Sequence, residues 1–155
     1  MPPSATEEEL NNLANELFRT FSRIEYSLKS SGFNCGNGDA KANWEKFALE
    51  IEPLIATPYS VELKEAIKYI MGEPPKKQVI LNGTLEWKVS EPSTNSNADK
   101  LLLYIRRIRN NLFHGGKFNG DWFEPERSEL LLKHSLVVLK ECINFLPKVK
   151  KAYSG

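Results

Sequence analysis

Apolar residues recur every three to four positions along most of the chain, the period of an amphipathic helix. Near the N-terminus, over residues 6–30, they are Leu10, Leu13, Leu17, Phe21, Ile24 and Leu28, one stripe that stops at Gly32. Thr6 stands as N-cap, and Glu7, Glu8 and Glu9 put negative charge at the positive end of the helix dipole. Trp44, Phe47, Ala48, Ile51, Leu54 and Ile55 predict a second helix that tolerates or bends at Pro53 and ends at Pro58. Ser60 caps a third and shorter helix through Leu63, Ile67, Ile70 and Met71, closed by Gly72 and Pro74-Pro75.

The period then changes. Val79, Ile80 and Leu81, followed by Asn82-Gly83 and the run Thr84 to Val89, carry the short-range signature of a β-hairpin, inserted at about residues 77–90. A fourth helix follows, with Asn97 or Asp99 as cap, Leu101, Ile105, Ile108 and Leu112 on one stripe, and Gly115-Gly116 as its stop. The last helix, from about Pro125 to Lys148, has Leu132, Leu136, Leu139, Ile143 and Leu146 in register, with further apolar residues that widen its face. That breadth makes it the central helix. The expected fold is all-α, a bundle of four to five helices with a small β-hairpin insertion, in one domain over residues 1–155.

An apolar content of 41% in 155 residues suffices for a single core. The 21 Lys and Arg nearly cancel the 20 Asp and Glu, so any contact with a polyanion must come from a local patch rather than from overall charge. Cys35 and Cys142, the two cysteines, have neither CxxC spacing nor a histidine cluster beside them. They read as free thiols in a reducing compartment. With no basic start before an apolar stretch, and no apolar run long enough for a membrane helix, a cytoplasmic location without membrane contact is expected. No metal-ligand cluster, Walker loop, dinucleotide fingerprint or nucleophile elbow occurs, and no cofactor or metal is expected.

The segment that carries chemistry runs from Arg106 to Lys117, RRIRNNLFHGGK. An advance of about 100° per residue sets Arg106, Asn110 and His114 in a drifting row flanked by Arg109 and Phe113, opposite the core stripe. Leu102 and Phe113 share that polar side, which suggests that a second copy of the chain covers it. RNA is cut without metal when one group takes the 2′-hydroxyl proton, another protonates the leaving oxygen and a fixed cation stabilises the phosphorane. Histidine titrates near neutral pH, and arginine offers a planar fork of donors matched to phosphate oxygens. An adjacent asparagine can hold either partner.

The run RNNLFH resembles the R-polar-x(3)-H motif of HEPN domains, with Arg109, Asn110 and His114 at its three positions. The likeness extends to a helical bundle with the motif near the end of a late helix and one more helix behind it. It implies a homodimer that brings two Arg/His sets into one cleft and acts on RNA as a metal-independent endoribonuclease. The implied setting is toxin–antitoxin or antiphage defence, with an antitoxin or other regulatory protein as partner. Some HEPN domains instead bind nucleotides without catalysis or serve as protein-interaction modules, and that alternative stays open.

Around the catalytic candidates Arg109, Asn110 and His114, three residues are assigned to substrate binding: Arg106, Lys117 and Glu25. Lys117, just past the glycines, is within reach of a phosphate. Glu25, at the margin of the first helix's apolar stripe, either orients Arg109 across the bundle or forms an ordinary flanking salt bridge. Bland readings stand beside these. His114 would complement the helix dipole without any catalysis, and Arg106 would belong to a solvated basic face, the reading preferred for Arg107. Trp44, Trp87 and Trp122 are assigned to packing, and His134 to the surface.

Overall fold

The computed structural model describes residues 5–113, 117–118, 121–122 and 124–155. Six helices occur among them: α1 (Glu7–Ser30), α2 (Trp44–Ala56), α3 (Val61–Gly72), α4 (Asn97–Phe113), α5 (Pro125–Phe145) and α6 (Pro147–Ser154). Between α3 and α4 lies an antiparallel hairpin of β1 (Lys77–Leu81) and β2 (Thr84–Lys88). A second, two-residue ladder pairs β3 (Lys117–Phe118) with β4 (Asp121–Trp122), in a stretch to which the sequence pattern assigned no element.

The caps explain why the helices begin where they do. The Thr6 hydroxyl accepts from the Glu9 amide and the Ser60 hydroxyl from the Leu63 amide, both at 3.1 Å, each satisfying a donor the helix cannot. For α4 the cap is Ser96, whose hydroxyl accepts from the Asp99 amide at 3.1 Å, not Asn97 or Asp99. Glu52 of α2 supports this start, accepting from the Ser96 hydroxyl and the Ala98 amide at the positive end of the dipole. Pro53 lies inside α2 without ending it. The hairpin turns at Asn82 and Gly83, whose φ angles of 51° and 76° are those of a two-residue turn matched to strand twist.

The last helical stretch is not continuous. Leu146 takes extended dihedrals and Pro147, which has no N–H to donate back to the preceding turn, starts α6 as a separate helix. The bundle therefore has six helices where four to five were expected. As expected, α5 is central, touching every other helix. Its Leu132, Val138, Leu139 and Cys142 are buried with Leu17, Phe21 and Ile24 of α1 and Leu101 and Ile105 of α4. Full burial pushes the Cys142 thiol far up from its ordinary pKa. Cys35 is exposed and both thiols are free.

Two readings of exposure are corrected. Leu102 is 1% exposed inside this chain's own core, so it gives no argument for a covering copy; α4 is apolar over a wider arc than its main stripe. His134 is half-buried, its ring 5.0 Å from that of Tyr69. Burial is the main cause that lowers its pKa below the ordinary 6.5, with Lys133 acting the same way and Glu65 opposing.

Truncation of Leu102 to Ala should cost about 2–5 kcal/mol in denaturant unfolding, whereas Leu49→Ala, at a 73% exposed site, should change stability by no more than about 0.5 kcal/mol. His134 yields a pH prediction. The unfolded chain takes up the proton at about 6.5 and the folded chain only at lower pH, so the neutral ring's contribution is complete above 6.5 and is lost as pH falls below it. The stability difference between wild type and His134→Gln should therefore shift against the wild type below pH 6.5 and stay flat above it.

Candidate functional site

Arg109 lies in the penultimate turn of α4, and its guanidinium is held from two helices. Its Nη1 donates to Glu25 Oε1 of α1 at 2.5 Å. Its Nε and Nη2 both donate to Asn110 Oδ1, at 3.2 and 2.8 Å. The guanidinium carbon sits over the Phe21 ring, 4.4 Å from its centroid. Phe21 and Glu25 are four residues apart on α1 and so share one edge of that helix, which presents ring and carboxylate together.

These contacts use three of the five guanidinium N–H groups; among the described residues the other two have no acceptor. The side chains of Arg109 and Glu25 are each about one-third exposed. Beside them lies an open depression of about 330 Å³ lined by Phe18, Phe21, Ser22, Glu25, Lys29 and Arg109. A pinned but accessible guanidinium is suited to a phosphate oxygen, because little entropy is lost in orienting it.

Of the residues singled out in the sequence, Arg109, Asn110 and Glu25 come together. Arg106 is one turn back on α4, its guanidinium 5.5 Å from the Trp44 ring centroid. Burial first, and then the neighbouring Arg109 charge, pull its pKa down from the ordinary arginine value. Lys117 opens β3, opposite Trp122. His114, with Gly115 and Gly116, lies outside the described residues. Trp44 is packed in the core against Phe21 and Phe47.

Arg107 departs from the solvated reading. Its Nη1 donates to the carbonyls of Ser90 at 2.7 Å and Pro75 at 3.4 Å, tying both ends of the hairpin insert to α4. Asn111 does the same work from further along the helix, its Nδ2 donating to the Lys76 carbonyl at 2.7 Å. Arg127 of α5 donates to the Pro74 carbonyl, and Lys76 pairs with Glu124 at 3.0 Å. Nothing in the local pattern around Arg107 signals this role, since its acceptors are backbone carbonyls 17 and 32 residues away.

Among the described residues no group of three or more His, Cys, Asp or Glu could hold a metal ion, and no helix is long and apolar enough to cross a membrane. Comparison with known proteins finds no matching family model, no matching curated protein and no matching solved structure.

The Glu25–Arg109 contact is measurable apart from any activity. At this exposure a double-mutant cycle with Glu25→Gln and Arg109→Gln should return a coupling of about 0.5–1 kcal/mol, smaller in molar salt than at low ionic strength. A coupling indistinguishable from zero at low salt would mean that the pair does not hold the guanidinium.

Proposed function

We propose that the chain is a metal-independent endoribonuclease of HEPN type that works as a homodimer on single-stranded or looped RNA. The observation that carries the reading is the fixed guanidinium of Arg109, anchored across the bundle by Glu25 and flanked by Asn110 in the order that the motif requires. In this reading a neutral His114 takes the proton from the 2′-hydroxyl as O2′ attacks phosphorus. Arg109 stabilises the charged phosphorane. As the bond to O5′ breaks, a second, protonated His114 contributed by the other protomer gives its proton to the leaving oxygen, leaving a 2′,3′-cyclic phosphate and a 5′-hydroxyl. Unpaired RNA is the proposed substrate because its backbone reaches the in-line geometry that a duplex resists. An antitoxin or other regulatory protein in toxin–antitoxin or antiphage defence is the partner in keeping with such an activity.

A second reading draws on the same contact. Glu25, 2.5 Å from Arg109, offsets part of the charge a phosphorane needs, which favours a HEPN module that binds a nucleotide without cutting.

Labelled single-stranded RNA incubated in EDTA separates the two. The nuclease reading expects cleavage by the wild type and a loss of about 10²- to 10⁴-fold in His114→Ala and in Arg109→Ala, with a dimer in sedimentation. Equal cleavage by all three removes the assignment; nucleotide affinity with no cleavage selects the binding module.

A further inference from the structure

The base of the hairpin and the polar flank of α4 enclose an open groove of about 440 Å³. Its polar lining is Lys77 and Gln78 from β1 with Arg106, Arg107, Asn110 and Asn111 from α4: cations and amides, and no carboxylate. The chain's formal net charge is only +1, and some of its other cations pair with acids: Lys133 with Glu129, Lys140 with Glu16, Arg127 with Glu73. Among the described residues Lys77 and Arg106 have neither an ion pair nor a hydrogen bond. Arg107 donates to carbonyls, which fix its position and leave its charge in place.

A separate observation points the same way. The ladder register sets Lys77 directly opposite Lys88, a like-charge cross-strand pair that costs stability and that a bound anion would relieve. One side chain links the groove to the Arg109 site. Asn110 lines the groove while giving its Oδ1 to Arg109, and its amide N–H groups have no acceptor among the described residues.

We infer that this groove binds the phosphate backbone of single-stranded RNA and leads it to Arg109, with the hairpin insert supplying Lys77 and Lys88 as phosphate contacts. The choice of RNA rests on the ribonuclease reading; the placement of the anion rests on the groove. A basic groove tracks a single strand through its phosphates, and the amide N–H groups of Asn110 are placed to meet base edges that only an unpaired strand exposes.

The test uses a fluorescent 2′-O-methyl oligouridine, which binds but lacks the nucleophile for cleavage, titrated over a salt series. Lys77→Gln/Lys88→Gln should weaken binding about tenfold at low salt and flatten the log–log salt slope by about 1.4, roughly 0.7 for each phosphate that is no longer neutralised. A control at acid-paired lysines of α5, Lys133→Gln/Lys140→Gln, should leave the slope unchanged. With cleavable RNA the hairpin variant should raise KM and leave kcat as it was. An unaltered slope in the hairpin variant, or an equal fall in the control, overturns the groove; if the wild type still cuts RNA, the nuclease reading survives that result. Groove-dependent binding without any cleavage upholds the groove and sinks the nuclease reading instead. Duplex RNA bound equally well through the same lysines overturns the single-strand assignment.

Discussion

The guanidinium of Arg109 is oriented by groups on two helices, and the geometry of the site depends on those helices keeping their relative position. Glu25 and Phe21 come from α1, Asn110 from α4 itself. The two helices are held by the core rather than by the ion pair. Phe21, one turn before Glu25, is buried in the same cluster as Leu101, Ile105 and Ile108 on the opposite face of α4. An ion pair this exposed is a weak fastener. What it provides is direction: of the rotamers open to a long arginine, it selects the one that sits over Phe21 with two N–H groups left without an acceptor among the described residues.

The hairpin insert depends on the same helix in a different way. A two-stranded ribbon is marginal by itself in water, and Ile80, Leu81 and Leu85 are exposed. Its stability comes from its base, where the carbonyls of Pro74, Pro75, Lys76 and Ser90 accept from Arg127, Arg107 and Asn111. Carbonyls near two prolines are free to accept in this manner because proline brings no N–H and resists regular pairing. The insert is thereby a fixed wall of α4's polar flank.

Local signals in the sequence carried far. Helical period, caps at Thr6 and Ser60, and Asn82-Gly83 each depend on residues within one or two turns, and the elements they specify are those observed. The proximity of Glu25 and Arg109 was readable as one of two alternatives, because Glu25 stands at the margin of an apolar stripe, where a side chain can reach across to a neighbouring helix. Misreadings arose where tertiary context decides. Leu102 lies off the main stripe, yet α4 is covered over a wide arc and buries it. His134 has no partner in its own helix, but α3 brings Tyr69 to it. The break at Leu146 was signalled by Pro147 and masked by the apolar register that continues across it.

The three arginines of α4 show why a charge run cannot be assigned as a unit. Arg107 faces the hairpin base, where carbonyls fix its guanidinium, so it acts as a clamp. Arg109, two residues on and so about 200° around the helix, faces α1 and meets a carboxylate. Arg106 stands between these directions over Trp44, partly desolvated and without an acid partner among the described residues. Desolvating a guanidinium without pairing it costs free energy that a purely structural residue has no reason to retain. A passing phosphate would offset that cost. Of the three, Arg106 is therefore the cation with most to gain from an anionic ligand, and it lines the groove at the hairpin base.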